Sequence, residues 1–261
     1  MILLRHELRR GRLAFIIWSG VLSFILAVCV FVYPQMKSEM AQLSDAVSSM
    51  GALTEAFGMD RMDISTLLGY YAIECGNTLS LGGALFAALT AVNMLSKEER
   101  DRTAEFLLTH PITRTRVVWE KLAALFIEIL LMNLAIAAVS ALSVLIVGEE
   151  ILWKKFFLIH LAMLLLQLEI AGICFGISAF LRRGGAGLGL GIAVGFYAMN
   201  LIANITESAR FLKTLTPFGY CEGADLLSEA SLDWAKIGVG MAFCAAGIAA
   251  AFWKYNRKDI H

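Results

Sequence analysis

Residues 97–121, KEERDRTAEFLLTHPITRTRVVWEK, are densely charged, carry a proline, and lie between two long stretches that are almost wholly apolar. The rest of the chain explains why that contrast matters. Of 261 residues 59% are hydrophobic and 17% charged, with a mean hydropathy of +0.71. A water-solvated domain needs a larger share of charge, so this composition belongs in lipid.

A bilayer core of about 30 Å takes roughly 20 helical residues to cross. Six apolar windows meet that length: Leu13 to Val32, Ala72 to Leu95, Leu122 to Val147, Phe156 to Leu181, Leu188 to Ile205 and Ala235 to Trp253. The first follows the basic start MILLRHELRRGR. Its apolar run is about twice the length of a signal-peptide core and has no clear cleavage site, so it reads as a retained span.

An even number of spans places both termini on one side. Alternating assignment of the loops puts 15 of the 22 Lys and Arg on that side, which the positive-inside rule makes the cytoplasm. The expected fold is all-α: a polytopic membrane protein with six transmembrane helices and both termini cytoplasmic. It forms one transmembrane domain, residues 1–261, with outer segments at 33–71 and 206–234. The formal net charge is zero, and topology accounts for the basic asymmetry, so nothing points to nucleic acid.

Several smaller features follow from local pattern. In residues 1–12, Leu4 and Leu8 share one helical face while Arg5, Arg9 and Arg12 share another, which predicts an amphipathic helix lying flat at the inner surface. In the first outer segment Met36, Met40, Leu43, Val47 and Met50 recur at helical spacing. In the second, Pro217 and Gly219 predict short broken helices. RRGGAGLGLG, residues 182–191, lacks the Lys-Ser/Thr of a phosphate loop and reads as a tight turn with close helix packing. Cys29, Cys174 and Cys244 read as packing residues. Cys75 and Cys221 both fall on the outer side, where a disulfide is compatible with the sequence but not required by it. No metal-binding spacing occurs.

The charged stretch has its own logic. Ser96 and Glu99 form a capping-box pattern, predicting a helix where the second span leaves the membrane. Along it Glu98, Arg102 and Glu105 share one face, and Ala104, Leu107 and Leu108 the other. Pro111 breaks that helix, and Thr113 can cap a second one running through Arg114, Val117 and Trp119 into the third span. The residues alone leave two readings open: a rigid helix–turn–helix docking element, or a solvated loop that merely holds the topology.

The stretch resembles the cytoplasmic coupling segment of permeases of the type 2 exporter family of ATP-binding cassette transporters. Glu98, Glu99 and Arg100 match its charged cluster, Thr103 its threonine, Glu105 the acidic residue that follows, and Leu107 and Leu108 its leucine pair. Pro111, Thr113 and Arg114 match its end, while Arg102 stands where that family has glycine. FGMDRMDISTLLGYYAIE, LKTLTPFGYCEGADLL and the ending YNRKDI resemble further family segments, so the likeness covers nearly the whole chain.

The resemblance implies a non-catalytic permease subunit of an ATP-driven exporter, multi-pass in a prokaryotic plasma membrane. It implies a second permease subunit, identical or different, facing it across a translocation path. It also implies separate cytoplasmic ATPase subunits docked on residues 96–121, with ATP and Mg on those partners and no cofactor in this chain. The sequence has no Walker A loop.

Glu128 and Glu169 fall inside spans, where an isolated charge costs about 2.5–3.5 kcal/mol. His160, Asn133, Gln167, Asn93, Asn200 and Asn204 supply other polar atoms at membrane depth. They fit either a polar path or interhelical hydrogen bonding that fixes the packing. Two rival functions differ in class. A non-transporting scaffold or sensor would use the same docking segment without moving a substrate. An intramembrane protease would need converging metal ligands at bilayer depth, yet His160 is the one histidine inside a span, and Glu98 and Glu99 lie outside one.

Overall fold

The computed structural model describes residues 2–48, 66–100, 112–182 and 184–257. Among these, the six helices long and apolar enough to cross a membrane are α1 (Ile2–Ser48), α2 (Leu67–Val92), α4 (Arg114–Val147), α5 (Trp153–Ser178), α6 (Ala186–Ile205) and α9 (Trp234–Arg257). A single helical turn, α3 (Lys97–Arg100), follows α2. Between α6 and α9 the chain makes a 3-10 turn at Glu207–Ala209, then α7 (Leu212–Leu215), a 3-10 turn at Pro217–Tyr220, and α8 (Gly223–Glu229). These are the short broken helices that Pro217 and Gly219 predict.

Local chemistry sets several of these bounds. Thr66 caps α2 by accepting from the Gly69 amide at 3.1 Å, so that helix begins before the apolar window at Ala72. Thr113 caps α4 as expected, accepting from the Arg116 amide at 3.3 Å. Gly148, at φ 82°, ends α4 in the left-handed region that an L side chain enters only with strain.

α2 and α5 form the centre of the bundle. Of the apolar window in each, 56% and 61% is buried, against 22% in α6 and α9. The rim carries side chains such as Leu13, Phe24, Ile146 and Trp234 on its outer surface, where lipid solvates them. Small residues let the rim helices approach. A Cβ on Gly176 of α5 would stand 2.5 Å from the Gly247 carbonyl of α9, and one on Gly247 would stand 2.5 Å from the Gly172 carbonyl. A Cβ on Gly189 of α6 would stand 2.9 Å from the Ala88 carbonyl of α2, the close packing read from RRGGAGLGLG.

One sequence expectation changes. Residues 2–12 are not a separate helix lying on the surface but the opening turns of α1, which is continuous from Ile2. Two contacts hold them along α4. The Leu4 amide donates to Glu120 Oε2 at 3.1 Å, and Glu7 is buried against Lys121. The leucine–arginine pattern does not report this, because Glu7, which anchors the segment, is neither leucine nor arginine. α1 also runs on past Pro34 to Ser48, so the first outer segment begins as more of the same helix; Met50 lies outside the described residues. Cys75 and Cys221 are free thiols, and Cys221 Sγ donates to the Ala162 carbonyl at 3.4 Å.

Candidate functional site: the termini face

The first turns of α1 and the last turn of α9 meet at one end of the bundle, and the foot of α4 joins them. Arg114 donates to the Asn256 carbonyl at 3.4 Å and Thr115 Oγ1 to Asn256 Oδ1 at 3.3 Å, which ties in the end of α9. One turn on, the Trp119 and Phe252 rings pack at 5.0 Å. Glu120, braced by Arg116 at 2.9 Å, accepts from the Leu4 amide at the start of α1, where a helix N-terminus favours negative charge.

Lys121 sits at the middle of this junction and is fully buried. An ammonium has three N–H donors and no acceptor. Here it donates to Glu7 Oε1 at 2.9 Å, to the Met94 carbonyl at 2.8 Å, and to Glu98 Oε1. One cation thus joins α1, the end of α2, and α3. Lys97 pairs with the other oxygen of Glu7 and closes the cluster. Burial, then the neighbouring positive charge of Lys121, pushes the Lys97 ammonium below the ordinary lysine value.

The matched coupling residues divide accordingly. Glu98, Glu99 and Arg100 form α3, with Glu98 buried in the Lys121 cluster. Arg100 reaches the turn between α5 and α6, with its guanidinium 3.3 Å from where a Cβ on Gly184 would stand. Asn93 holds the same turn by accepting from the Gly185 amide at 3.2 Å. Thr113 and Arg114 begin α4. Thr103, Glu105, Leu107, Leu108 and Pro111 lie outside the described residues. Ser96 is buried and donates back to the Val92 carbonyl at 3.5 Å, so its hydroxyl serves the end of α2.

Several intramembrane polar residues pair between helices. Asn133 of α4 pairs with Gln167 of α5 at 2.7 Å, and a Cβ on Gly83 of α2 would stand 2.0 Å from that Gln167 amide nitrogen. His160 of α5 shares a 2.9 Å hydrogen bond with Tyr71 of α2. These are interhelical ties between the central helices. Glu169 is buried against Gly240 of α9 with neither carboxylate oxygen hydrogen-bonded among the described residues. Glu128 is treated below.

Sequence reasoning missed Glu7, Lys97 and Lys121 as a unit. Lys97 and Lys121 looked like topology markers, and the signal available was a lone glutamate within the basic start of the chain. Among the described residues no group of three or more His, Cys, Asp or Glu is placed to hold a metal ion.

Six apolar helices, two of them buried at the centre, with a charged junction at the foot of α4, define a multi-pass membrane protein. The chain belongs to the ABC-2 family transporter proteins, whose family model matches residues 1–260. It is therefore a membrane permease component of an ABC transporter, a class that associates with ATPase components. No curated protein matches the chain.

Proposed function

We propose that this chain is the permease subunit of an ATP-driven exporter and that residues 96–121 couple it to separate ATPase subunits. The termini face is then cytoplasmic, in keeping with the 15 basic residues assigned to it, and the host membrane is a prokaryotic plasma membrane. The subunit itself is non-catalytic. ATP and Mg act on the partner, and a second permease subunit, identical or different, completes the path.

The observation that carries this reading is the buried Lys121 ammonium, with three acceptors drawn from α1, the end of α2, and α3. Buried ion pairs resist separation, since stripping one partner leaves an uncompensated charge. A push delivered to residues 96–121 is therefore shared among α1, α2 and α4 instead of being absorbed by a yielding loop. Such rigid-body tilting of packed helices opens and closes a path between subunits. Exposed charge pairs on the docking surface are individually weak, so Leu107 and Leu108 supply its apolar contact.

The test is co-purification with the partner ATPase. The Glu105→Lys, Arg114→Glu variant is expected to elute as a folded protein while losing the ATPase and its substrate-stimulated hydrolysis. Normal assembly with full hydrolysis would rule the proposal out.

A further inference from the structure

A groove at the termini face holds a carboxylate that no hydrogen bond or ion pair reaches from the described residues. α1 and α2 pack together over the part of the bundle away from the termini. The Tyr33 and Tyr70 rings lie 5.6 Å apart, Cys29 Sγ donates to Glu74 Oε2 at 3.8 Å, and the Trp18 and Phe86 rings lie 6.3 Å apart. Beyond Trp18, toward the termini, a cavity of about 250 Å³ opens between α1 and the last turns of α2. Arg10, Gly11, Ala14 and Trp18 line one wall, Leu89 and Asn93 the other, and Glu128 of α4 reaches in between them.

Glu128 is 5% exposed, and its Oε1 lies 2.1 Å from where a Cβ on Gly11 would stand, so the carboxylate packs directly on the α1 backbone there. No hydrogen bond or ion pair reaches its carboxylate from the described residues, whereas Lys97 at the mouth of the same groove is already paired with Glu7. Gly11 lies one turn of α1 further in than Glu7, so Glu128 stands about 6 Å deeper than the mouth. Beyond it the lining becomes apolar, with Ala14, Leu89 and the Trp18 ring.

We infer that this groove binds a lipophilic amine, a single-chain amphiphile whose ammonium pairs with Glu128 and whose chain lies along Ala14, Leu89 and Trp18. The order of the lining selects this class. A carboxylate placed next to the apolar end requires a positive group attached directly to the chain. A zwitterionic phospholipid head carries its amine outermost, on the far side of the phosphate, and would set the phosphate at Glu128. A neutral alcohol can donate one hydrogen bond to the carboxylate but brings no counter-charge, and an anionic head at that depth is repelled by Glu128. The site is entered from the leaflet at the termini face and needs no ATPase to form, so its test is separate from that of the coupling proposal.

The full-length protein in nanodiscs is equilibrated with radiolabelled dodecylamine, with empty discs subtracted. Saturable binding is expected, competed at least tenfold better by unlabelled dodecylamine than by dodecanol or dodecyl phosphate. The Glu128→Gln variant, matched for shape, is expected to bind at least tenfold more weakly while keeping the wild-type elution profile. Competition by dodecanol or dodecyl phosphate equal to that by dodecylamine would overturn the assignment, whatever the variant does. So would undiminished binding in a folded Glu128→Gln protein.

Discussion

The Lys121 ammonium of α4 lies 2.9 Å from Glu7 Oε1 of α1, and neither side chain is more than 2% exposed. Two residues 114 positions apart therefore share one desolvated contact, and each is the reason the other can be buried. Lys121→Met leaves Glu98 without its ammonium and Glu7 with only Lys97, which should cost about 3–5 kcal/mol. The Glu7→Gln, Lys121→Met double variant should be less destabilised than the sum of the single changes, by about 0.5–3 kcal/mol. Reversible unfolding in detergent measures all three proteins, and strict additivity would show that the pair is not coupled.

Glycines of α9 provide an internal comparison. A Cβ on Gly247 would meet the Gly172 carbonyl at 2.5 Å, whereas one on Gly238 meets nothing within 4 Å. Gly247→Ala must push α5 and α9 apart and is expected to lose about 1–3 kcal/mol. Gly238→Ala has only the helix-propensity gain and is expected to hold or rise by up to about 1 kcal/mol. Thermal unfolding of the two variants side by side checks the prediction, and equal melting temperatures would contradict the close packing.

Asp233 caps α9, its Oδ1 accepting from the Ala235 and Lys236 amides at 3.1 and 3.2 Å, while Oδ2 pairs with Lys236 Nζ at 3.1 Å. The Lys236 side-chain hydrogen bond is the main cause holding its carboxyl below the ordinary aspartate value. A depressed folded-state value means the stabilisation is complete above the unfolded-state pKa of about 3.9 and fades as pH falls through the folded one. Asp233→Ala should cost about 1 kcal/mol near neutral pH. The gap to the wild type should close in acid, and pH-dependent melting curves measure it. A gap of constant size down through that range would show that the cap does not depend on the ionised carboxylate.

Much of this architecture was legible in the residue string because the bilayer imposes a length. A run of some 20 apolar residues has few alternatives to a spanning helix, and all six windows became one. Thr113 was legible as a cap, and Pro217 with Gly219 as a break, because each acts on backbone groups a few residues away. The N-terminal turns were misjudged for the opposite reason. Their partners, Glu120 and Lys121, are more than a hundred positions distant, and amphipathic periodicity carries no information about who stands opposite.

By itself, the order of residues determined the number of spans, the placement of both termini on one side and the helical class, since these depend on local hydrophobicity and chain length. Only tertiary structure decided which charges are buried and which groups lie against them: Lys121 with three acceptors, Glu128 with no hydrogen bond or ion pair among the described residues. Pairing is a property of distance in space. Glu7, Met94, Glu98 and Lys121 become neighbours only after α1, α2 and α4 have packed at the termini face.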